Sequence, residues 1–309
     1  MNDSEVAVIG LGPAGVSAAI YLKRYGMNPV CFEKELVGGK VNKTQCIENY
    51  AGLLSIEGPK LAFNLETQLK SFLISPIYRE VESLTRNADG TFRLVYGRNA
   101  EQDFRYVILA NGLGERPFPI PGQEKFHSRG ISRCAICDGP FYKGKDVAVV
   151  GGGDSAFEEA IYLATICHHV HLIARRKEFR AQEEVVSRFL KMDNVTLHVP
   201  CEVISADGEK SISSIQIHDK ERNLDESLTI QGLFLYVGEV PCLDFIRIPN
   251  LCDERGYLIT DSSLRTKVEN LYATGDCRNT SLRQVATAVS DGAFAASNIH
   301  EDYLRKQHA

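Results

Sequence analysis

The sequence predicts an α/β chain of two doubly wound, parallel-sheet domains, the second inserted into a split first domain. Three observations carry this. A strand, a glycine-rich turn, a helix and a second strand occur in that order near the start of the chain and again near its middle. A proline cluster separates the two occurrences, and the stretch after the second is too short to make a third domain. In the first occurrence Val6-Ala7-Val8-Ile9 runs into Gly10-Leu11-Gly12-Pro13-Ala14-Gly15. A helical pattern with Val16, Ala19, Ile20 and Lys23 comes next, Asn28-Pro29 marks a turn, and Val30-Cys31-Phe32-Glu33 reads as a strand. In the second, Val147-Ala148-Val149-Val150 runs into Gly151-Gly152-Gly153-Asp154-Ser155-Ala156. A helix continues through Glu158, Ala160, Ile161 and Leu163, and the strand Val170 to Ala174 ends at Arg175-Arg176. Each occurrence is a βαβ unit, which opens a parallel sheet.

Arg116-Pro117-Phe118-Pro119-Ile120-Pro121-Gly122 reads as a hinge, because each proline fixes its own φ and restrains the residue before it. Gly238-Glu239-Val240-Pro241 is a second crossing. Beyond it, Gly256-Tyr257-Leu258, the stretch Leu271 to Asp276 and a small-residue helix from about Gln284 to Tyr303 return to complete the first domain. The expected domains are therefore 1–117 with 245–309, and 118–244. A length of 309 residues agrees with two domains at roughly 150 residues each. A hydrophobic share of 44% and a charged share of 24% leave no room for long disorder. The net charge of −5 speaks against a nucleic-acid partner, which calls for a basic face. No apolar run reaches the roughly 18 residues of a membrane span. Met1 to Glu5 is short and acidic, unlike an export signal, so a cytoplasmic location is expected.

The glycine turns are the first chemistry. In such a turn the first glycine permits the tight bend, the second lets the backbone approach a pyrophosphate, and the third allows close helix–strand packing. The helix start adds free N–H groups and a partial positive charge. Glu33 follows Gly15 by 18 residues, near the distance expected of an acid that accepts from ribose hydroxyls. The second turn has Ala156 at the third position, a permitted variant, and its second strand ends differently. Arg175, Arg176 and, a helical turn on, Arg180 stand where an acid would repel a 2′-phosphate, and guanidinium groups pair with one bidentately. The fold is thus two Rossmann-like dinucleotide-binding domains of opposite charge. The acid-ended site suits the ADP half of FAD, and the arginine-ended site suits NADPH, with Gly151, Gly153, Asp154, Ser155 and Ala156 at its phosphates. Nicotinamide gives a hydride, flavin accepts it, and flavin passes electrons to a disulfide.

The pair that can close such a disulfide is in Cys134-Ala135-Ile136-Cys137-Asp138. Nine cysteines, an odd and scattered set, argue against a structural disulfide framework. Only Cys134 and Cys137 are closely spaced. A structural zinc site needs four ligands, but there is no second CxxC, and His168, His169 and His171 fall in a strand-like stretch. No metal is expected. A CxxC lowers one thiol pKa, and the Asp138 carboxyl can give or take a proton beside it. The other seven cysteines read as packing residues.

With these motifs in place the chain resembles the low-molecular-weight bacterial thioredoxin reductases over nearly its whole length. The motifs are GLGPAG at 10–15, GGK at 38–40, IENYAG at 47–52, CAICDG at 134–139, GGGDSAFEEAIYLA at 151–164, ARRKEFRA at 174–181, ATGD at 273–276 and RQVATAVSDGAFAA at 283–296. The resemblance implies a homodimer with FAD in the split domain and NADPH and the dithiol in the inserted one. It implies that Cys137 faces the flavin, that Cys134 attacks a thioredoxin-like disulfide, and that Asp138 is the acid-base group. It also implies that Asn49, Asn111, Gly112, Asp276, Arg283, Gln284 and Val285 line the FAD site, with Lys34, Gly39, Lys40, Ala110 and Gly275 in the same motifs. In such enzymes the inserted domain rotates, so that nicotinamide and dithiol take turns at the flavin. Three positions depart from the family pattern: Ala174 replaces a histidine before the arginine pair, Lys40 replaces a glutamine, and Asn111 stands in an Ala-Thr-Gly. A cation at Lys40 would favour reduced flavin or a nearby thiolate. The rival readings are a relative fed by ferredoxin, a dithiol oxidase, and a flavin redox sensor that does not turn over.

Overall fold

The structure, a computed structural model, describes residues 5–44, 46–116, 118–126 and 129–307, without the side chains of Glu115, Glu124 and Cys137. Met1 to Ser4, Pro117 and the Cys137 side chain, on which parts of the sequence reading fall, lie outside the described residues. The chain divides into two compact units, Met1–Gly114 with Glu239–Ala309, and Glu115–Gly238.

In chain order the first unit holds β1 (Val6–Ile9), α1 (Pro13–Arg24), β2 (Pro29–Glu33), α2 (Gly58–Ser71), β3 (Ile77–Tyr78), β4 (Val81–Arg86), β5 (Phe92–Tyr96), β6 (Ala100–Phe104) and β7 (Tyr106–Leu109), and β8 (Leu113–Glu115) leads out of it. The second unit holds α3 (Gln123–Phe126), β9 (Ile131–Ser132), α4 (Ala135–Asp138), β10 (Asp146–Val150), α5 (Asp154–Ala164), β11 (His169–Ile173) and α6 (Glu183–Leu190). It continues with β12 (Val195–His198), β13 (Cys201–Asp207), β14 (Ser214–Asp219), β15 (Leu224–Thr229) and β16 (Gly232–Leu235). The chain then returns to the first unit with β17 (Glu239–Pro241), β18 (Leu271–Ala273) and α7 (Val285–Gln307).

Among the described residues the first unit contains a five-stranded parallel sheet in the order β18-β7-β1-β2-β3. Its strands β1, β7 and β18 are buried on both faces, and so read as unbroken apolar runs. Val6 and Val8 pack with Ala18 of α1 and Ile299 of α7, while Ala7 and Ile9 pack with Phe92, Leu94 and Phe104 of the antiparallel sheet β4-β5-β6. The second unit repeats the plan around a parallel sheet in the order β12-β11-β10-β16-β9. Val147 and Val149 face Phe157 and Leu163 of α5, and Ala148 and Val150 face Ile215 and Ile217 of the antiparallel sheet β13-β14-β15. Neither antiparallel sheet can be read from the βαβ pattern. Each covers the sheet face that the helices leave open.

Pro13 opens α1, where its missing N–H costs nothing. The sequence pattern suggests an end to the last helix near Tyr303, but α7 runs to Gln307. Tyr303 is its last buried residue, and the final turn is held instead by polar contacts, among them Arg305–Glu301 at 3.2 Å and a basic C-terminus that suits the helix dipole. The histidines that the sequence groups together have separate partners. His168 Nδ1 lies 2.6 Å from Asp146 Oδ1, His169 Nε2 lies 2.8 Å from Thr196 Oγ1, and His171 Nδ1 lies 3.0 Å from His198 Nε2. Burial, with the neighbouring imidazoles, pushes His171 down to about 4. No group of three or more His, Cys, Asp or Glu among the described residues is arranged to hold a metal. No helix among them is long and apolar enough to cross a membrane.

The backbone of α7 lies directly on α1 at Gly292. A Cβ added there would stand 2.0 Å from Ala14 O and 2.8 Å from Ala18 N. Gly292→Ala must part the two helices and should cost about 1–3 kcal/mol of stability, as other overpacked contacts do. A denaturant melt reads this as a lower midpoint. An unchanged midpoint would show that the helices separate without cost.

Candidate active site

In the first unit the site begins where β1 ends. Gly10 turns at φ +91° and its N–H donates to Phe32 O at 2.8 Å. A Cβ on Gly15 would stand 1.9 Å from Gly10 O, so only glycine lets α1 start this close to the strand. Around Gly12 the nearest atom to such a Cβ is Gly38 O at 4.0 Å, which leaves the space beside the turn open. The early N–H groups of α1 lack carbonyl partners within the helix. Glu33, at the end of β2 and 8% exposed, accepts from Leu11 N–H at 2.8 Å and from Glu35 N–H at 2.9 Å. The acid therefore holds the glycine turn as well as facing it, and each oxygen keeps a lone pair for a ribose hydroxyl. Gly38 donates to Leu11 O at 2.8 Å and starts a 3₁₀ turn, Gly39–Lys43. From that turn the Lys40 ammonium pairs with Glu239. Lys34 is exposed and reaches Glu80 at 4.0 Å.

The C-terminal part supplies the rest. Gly275 N–H donates to Asp291 Oδ2 at 2.9 Å, and Arg278 makes two bonds to the same carboxylate at 2.7 and 2.9 Å. This buried acid on α7 fixes the turn that carries Asp276. Burial pushes the Asp276 carboxyl up, against the pull of the Lys40 and Arg283 cations. Arg283 stacks over Tyr257 at 4.2 Å and donates to Asp276 O at 3.3 Å. Asn49 Nδ2 donates to Gln284 Oε1 at 3.0 Å, and Val285 packs against the cluster of Val41 and Ile47. Ala110 continues β7 by donating to Ile9 O at 2.8 Å, and Gly112 turns at φ +60°. Asn111 Nδ2 donates to Cys242 O at 2.7 Å, while its Oδ1 is buried with no partner among the described residues.

In the second unit Gly151 has the role of Gly10: a Cβ there would stand 2.6 Å from both Ala156 Cβ and Tyr236 O. Gly153 has nothing within 4 Å of such a Cβ. The loop after β11 is fastened to this turn by two bonds, Arg180 N–H to Gly152 O and Gln182 N–H to Asp154 Oδ1, both 2.8 Å. Ser155 is exposed and Ala156 buried in the first turn of α5. Arg175, Arg176 and Arg180 are exposed, and none is in an ion pair among the described residues, whereas Lys177 between them pairs with Glu221 at 2.8 Å. Three uncompensated guanidinium groups beside an open glycine turn suit a dianion. Ala174 is 3% exposed and closes the strand by donating to His198 O at 3.0 Å.

The dithiol segment lies in the same unit. Cys134 is disulfide-bonded and precedes α4, whose backbone includes Cys137 and ends at Asp138. Asp138 Oδ2 accepts from Ser132 Oγ at 2.6 Å, and Ser132 Oγ in turn accepts from Cys134 N–H at 3.1 Å. Ala135 N–H donates to the Tyr236 hydroxyl at 2.8 Å. Burial, with the Glu159 and Asp138 charges, pushes Tyr236 upward, so that hydroxyl stays protonated. Burial also raises Glu159, whose Oε2 has no partner among the described residues.

Sequence reasoning missed Asp291, Glu239, Ser132, Tyr236 and Tyr257. Only Asp291 left a signal, as the one acid among small residues in the first half of the last helix. The packing role given to seven cysteines needs correction. Cys31, Cys167, Cys201 and Cys277 are buried, and burial pushes Cys277 up to about 12. Cys46 and Cys252 are exposed and Cys242 is half-buried, so these three do not fill a core.

Residues 4–292 match the family model of the pyridine nucleotide-disulphide oxidoreductases. The thioredoxin reductase of Mycoplasma genitalium is 37% identical, over 96% of this chain and 95% of that protein. The thioredoxin reductase of Bacillus subtilis is 33% identical, over 96% and 93%. The solved thioredoxin reductase of Lactococcus lactis, in its FR conformation, superposes with a TM-score of 0.88 at 33% identity and covers 97% of this chain and 99% of its own. The chain belongs to the thioredoxin reductase family. It is a flavin-dependent disulfide oxidoreductase of the α/β class, and its parallel sheets match those of the family's solved structures. The residues present fit the cofactor that this family membership implies. The open space at Gly12, the Glu33 carboxylate, the unused Asn111 acceptor and the half-buried Asp276 near two cations all lie in one unit.

Asp291→Ala should remove the carboxylate from a half-buried arginine and from the Gly275 N–H together. The expected loss is about 3–5 kcal/mol, that of a broken buried pair. Urea unfolding checks it, and a loss below about 1 kcal/mol would show that Arg278 reaches water instead.

Proposed function

We propose that this chain carries electrons from NADPH through FAD to the Cys134/Cys137 dithiol and on to the disulfide of a thioredoxin-like protein. It would do so as a homodimer in the cytoplasm. The observation that carries this reading is the pairing of two glycine turns of opposite charge with a disulfide-bonded Cys134 beside a hydrogen-bonded Asp138. FAD belongs with the first unit, and NADPH and the dithiol with the second.

Bound FAD supplies a ring that takes up two electrons from a nicotinamide and returns two electrons to a disulfide. The chain does the rest. The start of α1 holds the pyrophosphate at Gly12, and Glu33 accepts from the ribose hydroxyls. Arg175, Arg176 and Arg180 clamp the 2′-phosphate that NADH lacks. Cys134 as thiolate attacks the partner disulfide and forms a mixed disulfide, releasing one partner thiolate. Cys137 then attacks Cys134, restoring the internal disulfide and releasing the second. Asp138 donates a proton to the departing thiolate and takes one from the internal thiol, steered by the Ser132 hydroxyl.

Anaerobic stopped-flow mixing with NADPH tests the reading. The purified protein should be yellow and bleach rapidly. Cys134→Ser should still bleach while turnover of a thioredoxin disulfide stops. Absent bleaching with both NADPH and NADH would reject the reading and favour a ferredoxin-fed or oxidase relative, and retained disulfide turnover in Cys134→Ser would remove the role given to that thiol. The double change Arg175→Ala/Arg176→Ala should raise KM for NADPH roughly 10- to 100-fold and leave KM for NADH nearly unchanged, because only contacts to the 2′-phosphate are lost. Equal effects on both nucleotides would mean that these arginines do not read it.

A further inference from the structure

The Lys40–Glu239 pair has no part in that electron path. Lys40 follows two glycines in left-handed backbone, Gly38 at φ +101° and Gly39 at φ +54°, a stretch that sets where its side chain departs. Its ammonium bonds to Glu239, the first residue of the first unit after the chain returns to it. The two side chains are 48% and 39% exposed, and an ion pair that wet adds little to stability. Both charges nevertheless reach the Gly275-Asp276 turn: Lys40 pulls the half-buried Asp276 carboxyl down and Glu239 pushes it up.

We propose that Lys40 is a positioning cation that tunes the electron affinity of the flavin ring, and that Glu239 holds it and partly cancels it. This rests on the reading that residues 10–15, 39–40 and 275–276 line the FAD site. Reduction adds negative charge to the ring, which a nearby cation favours and a nearby anion opposes. With both present the ring feels their difference. Removing either one unmasks the other, so the two neutral variants must shift the flavin in opposite directions. A purely structural pair would not do this, because losing either partner breaks the same contact.

The experiment measures flavin midpoint potentials by dye equilibration in the full chain carrying Cys134→Ser and Cys137→Ser, so that the ring alone takes electrons. Lys40→Gln should lower the potential, Glu239→Gln should raise it, and the double variant should fall between them. Lys40→Arg, which keeps the charge, should stay at the parent value. Unchanged potentials, or shifts of the same sign, overturn the proposal while flavin bound at one per chain leaves the FAD reading standing. Should Lys40→Gln fail to fold, Glu239→Gln decides alone, and no upward shift there overturns the proposal. A parent chain that retains no flavin overturns both this proposal and the reading beneath it.

Discussion

The near-contact of Gly15 with the carbonyl of Gly10 is the constraint on which the first unit depends. With 1.9 Å between that oxygen and an imagined Cβ, any side chain would drive α1 off the end of β1. Because nothing does, the helix begins at the strand's end, its unpaired N–H groups face the open side of the turn, and Glu33 lies within reach of Leu11. The same closeness admits α7, whose Gly292 rests on the backbone of α1 and whose Asp291 then reaches back to Gly275. Strand, helix and cofactor turn are thus placed by the absence of a few carbon atoms.

The second unit uses the same geometry with the opposite charge. A single carboxylate closes the first turn by accepting backbone N–H groups, and is itself almost buried. Three guanidinium groups crown the second and stay in water, on a loop held by backbone bonds rather than by their own side chains. An acid that structures its loop is committed before any ligand arrives. Arginines without partners lose nothing by meeting a phosphate except their hydration. On the proposed reading, one fold would serve two nucleotides by changing what stands at the tip of its second strand.

Much of this was legible in the chain. The βαβ repeats, the charge at the strand ends and the CxxC with its aspartate are local patterns, each fixed by residues a few positions apart. What was not legible is long-range. The Asn49–Gln284 bond joins residues 235 positions apart, and Lys40 and Glu239 are 199 apart. No periodicity announces such pairs, because they depend on which loops the sheet order brings together. Part of one antiparallel sheet was hidden for another reason: β15 is mostly exposed, with little apolar pattern to mark it. Ser132 and Tyr236 carry no motif either, although both orient the segment around Cys134 through hydrogen bonds.

The paired imidazoles of His171 and His198 make the two units unequal in acid. An unfolded histidine accepts a proton as pH falls through about 6.5, whereas folded His171 refuses one until about 4. The unfolded state of the second unit therefore binds more protons across that window, and its stability drains away as the solution is acidified. In the first unit several carboxylates are held low, among them Asp302, against its own burial, by Tyr272 and Arg265, and Glu269 by Lys306. Their contribution persists until the pH falls below the ordinary carboxylate range. Through His171, mild acidification would weaken the second unit before the carboxylates of the first lose their partners.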